Sequence, residues 1–289
     1  GGNYNVAIGD EAGTAITTGD NNTAVGYSAL LSNTTAGNNV AVGVNALKLN
    51  TTGTLNTAIG KDSLAQNTEA DNNTAVGLDT LYANTTGASN TAVGSRALDA
   101  NTTADNNTAV GYSALTANTT GTQNAALGAL SLDANTTASY NTAVGYSSLS
   151  ANTTGAENTA VGTNALSATI TGSYNTAVGN GAALLTTGDF NIAVGRLALR
   201  TNSSGDNNVA VGASALYQNT TADNNTAVGH TALNANTTGA GNVAVGADAL
   251  DSNTTASNNT AVGLSALTAN TTGDSNTAVG ALALDANTT

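Results

Sequence analysis

Few side chains in this sequence could do chemistry, and their spacing limits what they can do. His230 is the sole histidine, and no serine, cysteine or second histidine stands at a fixed offset from it. It therefore reads as a solvated surface residue rather than a general base. Cysteine is absent, so there is no thiol nucleophile and no disulfide framework. No dinucleotide-binding glycine fingerprint, phosphate loop or His-Glu-x-x-His zinc pattern occurs. These residues predict no enzymatic activity and call for no cofactor.

Two other residue types recur often enough to matter. Asp189, Asp206 and Asp223 lie 17 residues apart and would stack as like charges if the chain coils with that period. A cation could relieve the repulsion, which makes them weak metal candidates. The same three also fit a solvated turn, where Asp is common. The second type is the Asn-x-Ser/Thr triplet, the acceptor pattern for N-glycosylation. Its "NTT" form places acceptors at Asn33, Asn50, Asn84, Asn101, Asn118, Asn135, Asn152, Asn219, Asn236, Asn253 and Asn270. An "NNT" form adds Asn21, Asn72, Asn106, Asn224 and Asn258. An exposed "NTT" corner would suit a glycan-coated fibre, although an Asn/Thr-rich repeat generates such triplets for packing reasons as well. The two threonines of "NTT" are adjacent and would diverge in an extended strand, which argues against an ice-binding face.

Net charge is −13, and the five basic residues, Lys48, Lys61, Arg96, Arg196 and Arg200, are scattered. A chain so charged cannot follow a phosphate backbone, so nucleic acid is excluded as a partner. No apolar run reaches membrane-spanning length. Aromatics make up 3%, and Pro, Cys, Met and Trp are absent. Much of the apolar content is alanine, which does not build a thick globular core.

What positions these residues is a repeat. A glycine following "AV", "AI" or, at Gly128, "AL" marks it, seventeen times from Gly9 to Gly280, at a spacing of 17 broken once by a 16 between Gly179 and Gly195. Take that glycine as position 0. Position −4 is always Asn, including Asn22, Asn39, Asn56, Asn73, Asn90, Asn107, Asn124, Asn141, Asn158 and Asn175. Position −2 is always Ala, −1 is a branched aliphatic, +3 is small, and +4 is Leu except at Gly13 and Ala183. Positions +1 and +2 accept Tyr, Lys, Arg, His and Asp alike and are expected to face solvent. Helical repeats need about twice this length, and the Asn, Thr and Gly content disfavours helix.

The reading is all-β: a parallel β-solenoid, or β-roll, of seventeen 17-residue rungs running through residues 1–289 as one continuous array, a section of a longer repeat protein. "TAVG" and "SALTA" are expected to be extended, with Asn and Gly at the corners. Stacked rungs about 4.8 Å apart would give a rod about 80 Å long. The Val and Leu columns are expected to run down the interior as apolar ribs. The −4 asparagines are expected to pass side-chain amide bonds from rung to rung. The residue after "NTT" alternates, with Ala at 36, 104 and 138 and Gly at 53, 87 and 121, which indicates a 34-residue super-repeat that fails near 170–205.

At "NTAVGYSAL" and "NNTAVG" the sequence resembles the head repeats of trimeric autotransporter adhesins of the YadA-like kind, and related repeats of bacteriophage tail fibres. The resemblance implies a left-handed roll, a homotrimer and an extracellular or cell-surface adhesive role towards a host surface or matrix receptor. The head repeats run near 14 residues, shorter than the 17 here. The rival readings are a phage tail-fibre shaft and a head-to-tail filament that scaffolds covalent glycans.

Overall fold

The computed structural model describes residues 3–289. The chain divides into two compact units, Gly1–Asn141 and Thr142–Thr289. Each unit is a parallel β-solenoid of the kind the repeat predicts, and no helix occurs among the described residues. The first unit holds eight strands, from β1 (Val6–Ile8) to β8 (Ala125–Leu127). The second holds nine, from β9 (Thr142–Val144) to β17 (Thr277–Val279). Each strand is three residues long and pairs in parallel with the next strand of its unit, in register one repeat apart. In β2 (Thr23–Val25) and β3 (Val40–Val42), for example, Ala24 faces Ala41. The 16-residue rung keeps this register, since β11 (Thr176–Val178) pairs Ala177 with Ala193 of β12 (Ile192–Val194).

Alternation along a strand sends successive side chains to opposite faces, and here it overturns part of the sequence expectation. The −2 alanines from Ala24 to Ala261 point inward and are wholly buried, Ala7 of the first rung being exposed, whereas the −1 aliphatics point out, with Ile59, Val93 and Val110 at 37–40% exposure. The interior ribs are therefore Ala and the +4 Leu. The Val column is an outer surface.

The "SAL" segment also departs from expectation. It is turn, not strand: Ser28 (φ 53) and Leu30 (φ 50) both sit in the left-handed region, and the pattern recurs in rung after rung. A left-handed conformation at leucine is uncommon and costs on the order of 1 kcal/mol or more. It is tolerated because it buries the Leu30 side chain completely and lets its N–H donate to Ala46 O at 3.0 Å in the next rung. Asparagine does occupy the other left-handed corner, at position −5, as in Asn21 and Asn72.

At the marker glycine the backbone takes φ of +128 to +144, a region other residues rarely enter. A Cβ on Gly26 would also lie 2.5 Å from Gly43 O, so conformation and rung spacing both demand glycine. The Gly of the super-repeat has a different cause. Gly53 shows no positive φ, but a Cβ there would lie 2.5 Å from Asn50 Oδ1 and closer still to the Ala70 carbonyl oxygen. The same clash recurs at Gly155 and Gly188, where the next rung carries Gly172 and Gly205, so the carbonyl of the next rung, and not its side chain, excludes a Cβ there.

Candidate functional site: inner ladders and outer faces

Two asparagine columns converge inside the rungs, except where Ile16, Thr169 and Thr186 replace the +7 asparagine. The −4 amide Nδ2 of Asn22 donates to Ala36 O at 2.9 Å, and the +7 amide Nδ2 of Asn33 donates to the same oxygen at 3.0 Å. The ten −4 asparagines named above are at most 1% exposed. Their Oδ1 atoms mainly accept backbone N–H bonds from the next rung, as in Asn39 N to Asn22 Oδ1 at 3.1 Å. The −4 column makes amide-to-amide bonds at Asn208 to Asn191 and Asn259 to Asn242, at 3.2 and 3.3 Å, but the continuous ladder runs in the +7 column. There Asn50 Nδ2 donates to Asn33 Oδ1 at 3.1 Å, Asn67 to Asn50 at 2.8 Å and Asn84 to Asn67 at 3.0 Å. In the second unit Asn219, Asn236, Asn253 and Asn270 continue the same pattern, at 2.9–3.2 Å.

This placement corrects the glycosylation reading. All eleven "NTT" candidates, Asn33, Asn50, Asn84, Asn101, Asn118, Asn135, Asn152, Asn219, Asn236, Asn253 and Asn270, are 0% exposed. A glycan on such a nitrogen would pull the amide out of the interior. Asn and Thr are conspicuous here because a coil with few bulky side chains fills and satisfies its inside with amides. The acceptors that do face solvent are those of "NNT": Asn21, Asn72, Asn106, Asn224 and Asn258.

The aspartates have a local task. Asp189 Oδ1 accepts the N–H of Ser173 at 2.8 Å, Asp206 that of Asp189 at 2.7 Å and Asp223 that of Asp206 at 2.8 Å. Ser139, Ser173 and Ser257 do the same with their hydroxyls at 3.0–3.1 Å. Where Asp or Ser occupies position −6 it serves as a short acceptor for the preceding rung, while Gly37, Ala88, Ala156 and Ala240 hold the same place without one, and nothing in the geometry gathers the three carboxylates around a common point. No cluster of three or more metal-ligating side chains occurs among the described residues. His230 is exposed, its Nδ1 3.1 Å from Thr231 Oγ1, and Thr231 Oγ1 also donates to Asp248.

On the outside of the first unit, charge collects where the sequence alone suggested scatter. Asp62, Asp79 and Arg96 occupy position +2 of three consecutive rungs. With Tyr82 and Asp99 of position +5 they line an open cleft of about 450 Å³. Lys61 Nζ lies 2.9 Å from Asp62 Oδ2, and Arg96 Nε lies 3.6 Å from Asp99 Oδ2. Burial works to raise the Asp62 carboxyl, but the Asn45 amide, donating at 2.8 Å, and the Lys61 ammonium outweigh it and hold the group below its ordinary value. The hydrogen bond to Asp62 in turn raises Lys61. Asp99 is raised, by burial first and by Asp79 besides, against the opposing pull of Arg96. The signal for this cleft was available in the repeat register, because same-position residues 17 apart must be neighbours. It emerges only when charge is read down columns.

In the second unit Arg200 lies over the Tyr217 ring, 5.5 Å from its centroid, and its Nη1 is 3.0 Å from the Tyr217 hydroxyl. Tyr174 and Phe190 stack with centroids 4.7 Å apart and planes 1° from parallel.

No protein-family model matches this chain, and no curated protein sequence matches it. The class that its geometry defines is the parallel β-solenoid repeat protein.

Proposed function

We propose that this chain is a structural segment of an extracellular or cell-surface fibre, a stiff scaffold whose outer columns make adhesive contacts with a host surface or matrix receptor. One observation carries the reading. The interior polar groups of a rung are satisfied by the rungs beside it: Asn84 donates back to Asn67 at 3.0 Å and accepts from Asn101 at 2.9 Å. A rung is therefore stable only as a member of a stack, which is the logic of a one-dimensional structural element. The variable residues are confined to outward positions such as +1, where Tyr27, Lys61, Tyr112 and His230 are all exposed. Exterior identity can change from rung to rung there without touching the ladders. The charged cleft at Asp62, Asp79 and Arg96 is the outward place where such a contact would be most selective.

Electron microscopy of the full chain tests this reading through mass per length. Seventeen repeats in 27.9 kDa at about 4.8 Å per rung correspond to about 3.4 kDa per nanometre for a single chain. Elongated particles at this value or a whole multiple of it are the expected result. Compact particles, or fibres with substantial additional mass hanging from their sides, would overturn it.

A further inference from the structure

Four consecutive strands of the first unit, β4 (Thr57–Ile59), β5 (Thr74–Val76), β6 (Thr91–Val93) and β7 (Thr108–Val110), repeat Thr-Ala-Val with one Ile in place of Val. Their alanines are buried, so the threonine and the aliphatic residue of each strand share the outward face. Parallel pairing in register sets Thr57, Thr74, Thr91 and Thr108 in one column and Ile59, Val76, Val93 and Val110 in a second. Neither column holds a charge, and in the positions that flank them, −5 and +1, only Lys61 is charged. The four hydroxyls make no hydrogen bond to the protein among the described residues. The first threonine of "NTT" behaves differently: Thr51 Oγ1 donates to Thr68 O and Thr85 Oγ1 to Thr102 O, each at 3.0 Å. In the second unit β9, β10 (Thr159–Val161) and β11 repeat the outward arrangement with Thr142, Thr159 and Thr176.

We infer that these strand faces bind the surface of ice, an activity separate from the fibre reading above. The two lattices agree in both directions. Neighbouring rungs repeat about every 4.8 Å, and alternate residues of a strand about every 6.6 Å. Waters hydrogen-bonded at about 2.75 Å with tetrahedral angles repeat about every 4.5 Å along one direction and about every 7.3 Å along the perpendicular one. Over the three steps from β4 to β7 the mismatch grows to about 0.9 Å, and across a strand it is about 0.7 Å. Both are smaller than the ~1.4 Å radius of a water. The array is also stiff. β-Branched side chains are restricted about χ1, and inner ladders such as Asn67–Asn84–Asn101 are of the kind that keeps a sheet from twisting. Methyl groups order the water lying between the rungs, and the unpaired hydroxyls hydrogen-bond to it. A charged column would impose a hydration shell of its own. The threonines of "NTT" lack this arrangement, being adjacent and with one hydroxyl committed to a carbonyl.

The test measures the bound-to-free ratio of the full chain on slowly grown ice, together with the gap between the melting and freezing points of a single crystal. The wild type is expected to enter the ice, facet the crystal and hold its freezing point below its melting point. Thr91→Lys/Thr159→Lys puts one lysine on the face of each unit. Its bound-to-free ratio is expected to fall about tenfold, the equivalent of about 1.4 kcal/mol of lost contact. Thr86→Lys/Thr154→Lys, at exposed "NTT" corners, adds the same charge and is expected to bind like the wild type. Circular dichroism checks each fold. Thr91→Tyr/Thr159→Tyr, bulky but favoured in strands, replaces the lysine variant if that one unfolds, and the same loss is expected of it. A wild type rejected by the ice, a lysine or tyrosine variant that binds unchanged, or an equal loss in the corner variant would overturn the inference. None of these outcomes bears on the fibre reading, which mass per length decides.

Discussion

Replacing Asn84 with alanine isolates the inner ladder. The side chain donates to Asn67 Oδ1 at 3.0 Å and Gly87 O at 2.9 Å, and accepts from Asn101 Nδ2 at 2.9 Å. Gly87 O keeps the Asn73 amide at 2.9 Å and Asn101 keeps Ala104 O at 3.0 Å, so part of the network survives. The variant leaves the Asn67 oxygen and one Asn101 N–H buried without their ladder partners. Each such group costs about 1–3 kcal/mol, and the lost bond to Gly87 adds about 1 kcal/mol. The expected destabilisation is therefore about 3–7 kcal/mol. In a stack it should appear first in adjacent rungs. Native-state hydrogen exchange can read it at the amides of Leu64, Leu81 and Leu98, which bond forward to Thr80 O, Ala97 O and Ala114 O at 3.0 Å. Their protection should fall by about two to five orders of magnitude, at 1.4 kcal/mol per tenfold. Asn72→Gly is the control, because Asn72 is exposed at φ 60, a conformation glycine adopts freely. Its effect should stay within about 0.5 kcal/mol. A loss of less than about 1 kcal/mol for Asn84→Ala, or an equal loss for the control, would refute the ladder as the source of rung cohesion.

Three further perturbations probe the remaining columns. Asp206→Ala removes the acceptor of the Asp189 N–H and should cost about 1–2 kcal/mol. Asp206→Ser should restore most of this in urea unfolding, since serines hold the equivalent place elsewhere. Burial raises the Asp133 carboxyl above its ordinary value, and its Oδ1 is buried without a partner among the described residues. A raised acid binds its proton more tightly when folded, so its stabilising effect is complete below the unfolded value and lost as pH rises through the folded one. Asp133→Asn should therefore raise the melting temperature at neutral pH. The gain, a few tenths to about 1 kcal/mol for a half-exposed group, should vanish below about pH 3. The buried Thr186 hydroxyl likewise has no partner among the described residues. Thr186→Val should stabilise the chain by about 1 kcal/mol by removing that polar group, measured by thermal unfolding. A loss instead would indicate a hydrogen bond at that oxygen.

The sequence by itself determined the architecture. A period of 17 with an invariant Asn, Ala and Gly admits only a stack in which each residue meets its counterpart, and the marker glycine's positive φ and the buried Ala column follow directly. The variable +1 column was legible as exterior for the same reason, because a place that takes Lys61, Tyr112 and Ala247 is not packed. Which way each remaining column points was decided only by the tertiary structure. Val at −1 and Leu at +4 look alike as apolar letters. The strand's two-residue alternation turns Val25 outward, and the left-handed turn at Leu30 turns that leucine in. The two asparagine columns likewise share a residue type, and only the coil's closure brings Asn22 and Asn33 to the same carbonyl of Ala36. Composition and period fix what stacks on what along the chain. The direction of a side chain depends on backbone dihedrals and on the neighbours across the rung, and these exist only once the coil has closed.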